Sequence, residues 1–284
     1  MKKQMKMLAL TLVCLLLPGI SGCAAEEFTI QVPTSLRIYS RNEELGFIEF
    51  QYDEKNFLQS FATIAPDGTK GQICSVTTDE NGRILSSVNE QTGLHMRLTW
   101  SSKGNLLSHN QSNTKRDETI SWEYNTAGNI LSSTLTTEKG NETIFYEYAK
   151  DGMLLSAMHY SGETLTCRKE YTCLDDGRLE TETLYDQKDR ISATAVYEYP
   201  EDGSTQVTVT QKFYKGSQIT ERVIRYTYNT AGYLIEEFCA ENESLNMRYE
   251  YTYITVSSKA GNIGKYLPIF DTLPTTGILD QMTF

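Results

Sequence analysis

The stretch Ile120-Ser-Trp-Glu-Tyr124-Asn-Thr-Ala-Gly128-Asn-Ile-Leu-Ser-Ser133 returns almost verbatim as Ile224-Arg-Tyr-Thr-Tyr228-Asn-Thr-Ala-Gly232-Tyr-Leu-Ile-Glu-Glu237. Aromatics at alternate positions share one face of a strand. Asn-Thr-Ala-Gly closes a turn that ends in a left-handed glycine, and the aliphatic pair after it starts the returning strand. Each copy therefore reads as a β-hairpin.

With that glycine as position zero, equivalents fall at Asn56, Gly82, Gly104, Gly128, Gly152, Gly177, Gly203 and Gly232, in steps of 22 to 29 residues. Six and four residues earlier stand Phe50/Tyr52, Val76/Thr78, Leu98/Trp100, Trp122/Tyr124, Tyr146/Tyr148, Tyr171/Cys173, Tyr197/Tyr199 and Tyr226/Tyr228; only Val76/Thr78 lacks bulk. Two residues later come aliphatics such as Leu58, Ile84, Leu106, Ile130, Leu154, Leu179 and Leu234, with Thr205 the exception. Midway between these turns lie further breakers: Gly93, Asn110 to Asn113, Gly140, Gly162, Asp186 to Asp189, Gly216 and Asn242. A strand and a turn every ~12 residues predict an all-β fold, an antiparallel meander of repeated hairpins in a twisted or spiral sheet, with no substantial helix beyond the leader.

A type I turn with a left-handed glycine sets Tyr124 opposite Ile130 and Trp122 opposite Ser132 on one face. Leu131 then points to the other face, with Leu85, Leu107, Leu155 and Ile235 at the same place in other copies. Apolar residues on both faces require the sheet to curl upon itself or to be covered by another segment. Upstream, Phe28 to Val32 and Leu36 to Ser40 read as strands. The array spans 28–253, and the tail 254–284 carries Tyr266, Leu267, Ile269, Phe270 and Leu273, too apolar for a solvated end. That tail is expected to dock as a cap.

Residues 1–22 carry Lys2, Lys3 and Lys6, then the apolar run Met7 to Pro18, then Ile20-Ser21-Gly22 before Cys23. A positive start, a short apolar run and small residues are an export signal, and the run falls short of the ~20 residues that span a bilayer. The last four residues resemble the bacterial lipobox. That resemblance implies an acylated Cys23 as mature N-terminus, a lipoprotein at the membrane of the cell envelope, and a tether of 23–27. Ala24 to Glu27 reach on the order of 13 Å when extended, so the body should sit close to the bilayer.

The formal net charge is −11, and removal of the three leader lysines leaves 23 basic against 37 acidic side chains, or −14. Nucleic acid is excluded as an expected partner, and attachment to an anionic membrane should depend on lipid rather than on a basic patch. Of six cysteines, Cys74, Cys167, Cys173 and Cys239 lie in the body. Four thiols allow three pairings, which the sequence leaves open. Cys167 and Cys173 stand six apart on one strand, roughly 20 Å, so they should not pair with each other.

The recurring aromatic-x-aromatic-Asp/Asn-x-x-Gly-x-aliphatic pattern, as in Phe50-Gln-Tyr52-Asp53-Glu-Lys-Asn56 and Tyr185-Asp186-Gln-Lys-Asp189-Arg-Ile191, resembles the YD-repeat or RHS-repeat proteins. The resemblance covers roughly Phe47 to Tyr253 and implies a β-meander that winds into a spiral sheet, with a place at the cell surface. In large members the sheet encloses a toxic cargo. This chain is smaller, often replaces the Asp by Asn, Ser or Ala, and carries no separate effector region.

No catalytic cluster, cofactor motif or metal-ligand spacing stands out. His95, His109 and His159 fall at unrelated repeat positions and read as ordinary strand residues. Ser86, Ser87, Ser108, Ser132, Ser133 and Ser156 recur beside the aliphatic pairs, and recurrence argues for cross-strand structure rather than for one nucleophile. Asp175-Asp176 and Glu201-Asp202 precede turn glycines, where carboxylates cap turns. Leu273-Pro-Thr-Thr-Gly277 spells a sortase signal without the spanning run and basic tail such a signal needs. The aromatic ladder of Tyr52, Trp100, Trp122, Tyr124, Tyr146, Tyr148, Tyr171, Tyr197, Tyr199, Tyr226 and Tyr228 is the candidate surface for sugars, and its regular phase predicts packing instead. A binding site belongs where the ladder breaks, around Val76 to Thr78 or Thr205.

The reading is a lipid-anchored, non-enzymatic envelope protein that binds an envelope glycan or surface protein. A hydrolase or glycan-processing enzyme built on the same sheet is the alternative, as is a small relative of the toxin shells.

Overall fold

The computed structural model describes residues 27–114, 116–200, 205–241 and 245–259. The leader, Cys23, Gly203, Asn242 and the expected cap beyond Lys259 lie outside them. The chain opens with β1 (Glu27–Ser40), β2 (Glu43–Tyr52), β3 (Leu58–Ile64), β4 (Lys70–Thr78), β5 (Ile84–Asn89) and β6 (His95–Trp100). It continues through β7 (Leu106–Asn113), β8 (Arg116–Tyr124), β9 (Ile130–Thr137), β10 (Gly140–Tyr148), β11 (Leu154–Ser161) and β12 (Thr164–Cys173). It ends with β13 (Leu179–Asp186), β14 (Ile191–Glu198), β15 (Gln206–Lys215), β16 (Gln218–Tyr228), β17 (Leu234–Glu241) and β18 (Leu245–Lys259).

Each strand pairs antiparallel with the next, and β18 pairs back onto β1 from Glu27↔Lys259 to Ser40↔Met247. The 18-stranded meander is thus a closed barrel with no free edge, which removes the hazard of unpaired edge strands. Closure needs more strand than the repeats suggested. Residues 28–32 and 36–40 form one strand with a bulge at Pro33/Ser35, and β18 runs on to Lys259, six residues past the expected end of the array.

The two faces follow from the register. Leu36, Ile48, Leu58, Ile84, Val209 and Ile224 point inward and are buried, while Arg97, Glu123, Glu147, Glu170, Arg225 and Glu250 alternate with the inward positions and face outward. Inward positions are mostly apolar, with polar exceptions such as His159, Lys169 and Glu182, and outward positions mix charged side chains with exposed aliphatics. A circular sheet of this strand number would surround a water-filled channel. Here Val32, Leu36, Ile84 and Ala193 are 0% exposed, so side chains fill the interior at these positions.

The hairpin register differs by one residue from the expected one. Tyr124 faces Ile130, but a bulge after Glu123 places Trp122 opposite Ser133 and Glu123 opposite Ser132. The bulge turns Leu131 outward and returns the strand to phase. Leu85, Leu107, Leu131 and Leu155 accordingly emerge on the outer wall, 37–43% exposed; closing the sheet does not cover them. Of the recurring serines, Ser86, Ser108, Ser132 and Ser156 occupy the next outward place, while Ser87 and Ser133 are buried opposite Val76 and Trp122. Ser86 bonds Thr77 at 2.7 Å, Ser108 bonds Thr99 at 2.9 Å, and Ser132 and Ser156 donate to Glu123 and Glu147 at 3.0 Å. They are cross-strand structure, as their repetition implied.

Turn chemistry explains the tolerance at the Asp position of the motif. Asn125 Oδ1 accepts the N–H groups of Ala127 and Asn129 at 2.9 Å, while Gly128 N–H donates to Asn125 C=O at 3.1 Å. Asp79, Asp186 and Asn229 make the same pair of bonds, and the Ser101 hydroxyl accepts one of them, from Asn105. Any acceptor oxygen serves, so Asp, Asn and Ser interchange, and Ala149 and Leu174 close the same turn with its backbone bonds alone. Gly128 sits at φ 94, and Asn56 and Asp189 fill the same left-handed place at φ 60 and 54. Two midway turns depart from expectation. Asn110 to Asn113 are strand, because the Asn110 amide bonds Asp117 and Thr119 across the hairpin at 2.9 Å; the reversal falls at Thr114. A turn at Asp67-Gly68 between β3 and β4 went unrecognised.

Candidate binding cavity in the barrel interior

All eleven ladder aromatics are half-buried and line the interior in register with the inward aliphatics. Their polar tips have a structural task that the period alone did not reveal. Trp100 Nε1 donates to Ile84 C=O at 2.7 Å, Tyr124 Oη to Leu106 C=O at 2.7 Å, Tyr199 Oη to Leu179 C=O at 2.8 Å and Tyr253 Oη to Leu234 C=O at 2.6 Å. In these four the acceptor is the first residue of the preceding odd-numbered strand, whereas Tyr52 Oη donates to Pro33 C=O within β1 at 2.6 Å. At Trp100, Tyr124 and Tyr199 the residue four before the turn glycine therefore staples its hairpin to the strand before it through a donor that Phe lacks, while Thr78 and Cys173 hold the same place in other repeats. Burial raises the phenols of Tyr199 and Tyr253, and that of the neighbouring Tyr249 to about 12. They are packing groups rather than an open stacking platform.

Where the ladder breaks, Val76 packs against the cluster around Leu36 and Ile84, and Thr205 follows residues outside those described. The cavity lies at neither place. It occupies about 250 Å³ at the ends of β10 to β14 away from the repeat turns, and Glu142, Ile144, His159, Cys167, Leu184 and Asp186 line it. Two features set this wall apart. The inward side chains of this wall include the small Ala157, Ala193 and Ala195, and its larger ones include the polar His159, Lys169 and Glu182. Volume and apolar contact are both missing where the opposite wall has Leu, Ile, Phe and Tyr.

Cross-strand pairing sets Ile144, His159, Cys167 and Asp186 in one inward row over four strands. His159 is 4% and Cys167 9% exposed. A simple count from the β11–β12 turn would put Thr166 opposite His159; a bulge at His159/Tyr160 substitutes Cys167, and Thr166 Oγ1 instead donates to His159 C=O at 3.0 Å. Of the other histidines, His109 is buried and inward on β7, and His95 is exposed on β6. None of the four body cysteines forms a disulfide, and Cys167 and Cys173 both lie on β12.

The two carboxyls of the cavity are driven apart. Desolvation raises Glu142. Hydrogen bonds from the Arg190 guanidinium and from the Arg190 and Lys188 amides hold Asp186 down at about 2. With its oxygens committed to its own turn, Asp186 is not available to orient His159. Cys167 moreover lies between Asp186 and His159, whereas a nucleophile–base–orienter chain needs the histidine in the middle. The row can hold a ligand, and it is not arranged as a catalytic triad. Among the described residues no three His, Cys, Asp or Glu are placed to hold a metal ion.

No protein-family model matches the chain, and no curated protein matches it significantly. Among solved structures it is similar to TcdB2-TccC3-TEV, at 12% identity and a TM-score of 0.30, over 68% of this chain and 14% of that one. The Tc holotoxin pore of Photorhabdus luminescens gives 13% identity, a TM-score of 0.28 and the same coverages. A porin-like protein of Bacteroides uniformis gives 8% and 0.33 over 78% of this chain and 96% of that one. This chain matches only about one seventh of the length of the toxin chains. At such scores the functional reading rests on the residues themselves.

Proposed function

We propose that the protein is a lipid-anchored envelope protein of the YD/RHS kind, whose barrel is a binding module with its cavity turned away from the membrane. The carrying observation is the polarity of the chain. Lys2, Lys3, Lys6, the apolar run and Ile20-Ser21-Gly22-Cys23 predict an acylated Cys23 a few residues before β1. β1 starts at the end of the barrel that holds the repeat turns, where Gln31 Oε1 accepts from Asn229 Nδ2 at 2.7 Å, and β18 leaves beside it. An anchor there directs the opposite end, with the cavity, toward a glycan, a surface protein or a small ligand of the envelope. Two acyl chains suffice to hold it.

Glu142 and Asp186 in one cavity favour the hydrolase as second reading, because glycan hydrolysis uses two carboxyl groups. The commitment of Asp186 to Arg190 weighs for binding. A clickable fatty acid fed to expressing cells should label the wild-type chain and leave Cys23→Ala unlabelled and in the soluble fraction; label persisting on Cys23→Ala would refute the anchor.

A further inference from the structure

We propose that Cys167 and His159 bind one soft monovalent cation of filled d shell, Ag(I) or Cu(I), between the cysteine sulfur and an imidazole nitrogen inside the cavity. This goes beyond the anchored-module reading and does not require it.

Three observations carry the inference. The two residues are direct cross-strand partners on β11 and β12, both inward, and both line the 250 Å³ cavity. Directly opposite residues hold their Cβ atoms about 4.5–5.5 Å apart. A linear sulfur–metal–nitrogen unit spans about 4.3 Å if its bonds resemble the ~2.3 Å and ~2.0 Å of zinc sites, which such a pair can bracket with little backbone movement. Next, the donor set chooses the ion. Thiolate favours soft cations, and no third donor stands in place among the described residues, so the four-coordinate demand of zinc is unmet while a two-coordinate ion is satisfied. Finally, the site is screened from water, with Cys167 9% and His159 4% exposed, and the Glu142 carboxyl lines the same cavity. The other body thiols lack such a setting. Cys239 faces Ile224 and Met247, Cys74 faces Phe61 and Asn89, and Cys173 faces Leu179.

Binding is a ligand exchange with no redox step. The cysteine S–H bond breaks and its proton goes to solvent. The sulfur pair and an imidazole lone pair then form two bonds to the cation, so one proton leaves for each monovalent ion that enters.

Silver is the probe because it needs no reductant. In the full chain with Cys14, Cys23, Cys74 and Cys173 changed to Ser, silver nitrate is titrated against excess free methionine, and bound metal is counted by native mass spectrometry. The expected result is one equivalent of silver, lost in Cys167→Ser and Cys167→Ala, held at least tenfold more weakly in His159→Gln, and unchanged in Cys239→Ser. Silver retained without Cys167, equal affinity in His159→Gln, or loss in Cys239→Ser would each overturn the site. Far-UV circular dichroism separates loss of fold from loss of ligand. If both Cys167 variants unfold, His159→Gln decides.

Discussion

The wall from β18 through β1 to β6 and the wall from β10 to β14 are made from the same hairpin, yet they enclose different interiors. The first turns Val32, Leu36, Ile48, Phe50, Ile84, Leu98 and Tyr251 into one packed cluster. The second presents Ala157, Ala193 and Ala195 together with His159, Cys167, Lys169 and Glu182; Ala193 and Ala195 pack with Leu184, Val209 and Ile224 in a smaller cluster, and a cavity lined by Glu142, Ile144, His159, Cys167 and Asp186 remains at one end. Both walls keep the backbone bonds of the turn, the left-handed residue and the bulge, although Ala149 and Leu174 of the second wall lack the side-chain acceptor. They differ in the inward positions beyond the aromatic ladder, where the repeat imposes nothing. The period therefore specifies the barrel, and departures from it on a single wall are where a ligand can enter.

Truncation should expose this difference most strongly. Leu36→Ala removes a fully buried side chain from the closure strand and should cost about 2–5 kcal/mol in urea unfolding. Ile144→Ala, beside the existing cavity, should fall at the low end of that range, because fewer neighbours lose contact. Equal costs would erase the contrast between the walls. A smaller effect is expected from Tyr124→Phe, which keeps the ring but leaves Leu106 C=O without its staple. The loss should be about 1 kcal/mol, or roughly 2–4 °C in Tm for a domain of this size. An unchanged Tm would mean that the phenol contributes packing alone.

Much of the architecture is legible in the sequence because turn chemistry is local. Asn125 and Gly128 declare their hairpin within four residues, and Tyr185-Asp186 with Asp189 declares another at a midway position. The outward course of Leu131 follows from the same count. The register beyond the turn does not, since a bulge after Glu123 shifts Trp122 from Ser132 to Ser133 by a backbone choice that no side chain announces. Asn110 looked like a turn former and proved to be a strand residue once Asp117 and Thr119 came within reach. The cavity was hidden for the same reason. Glu142, His159, Cys167 and Asp186 come from four strands, and one bulge decides whether His159 meets Thr166 or Cys167. The staple from Tyr124 to Leu106 joins successive repeats, so it becomes visible only when neighbouring hairpins are set side by side.

Closure is the claim on which both walls depend, and hydrogen exchange tests it at β1. In the closed barrel, Ser35 to Ser40 pair with β18 on one side and with β2 on the other, apart from the bulge at Ile38/Tyr39. In an open spiral one of these sides would be free, and an edge strand exchanges far faster than the interior strands. Mass-resolved exchange of the peptide covering 35–40 should therefore show protection equal to that of 130–137 in β9, a strand in the middle of the sequence. Exchange of 35–40 at edge-strand rates, with 130–137 protected, would contradict the closed barrel.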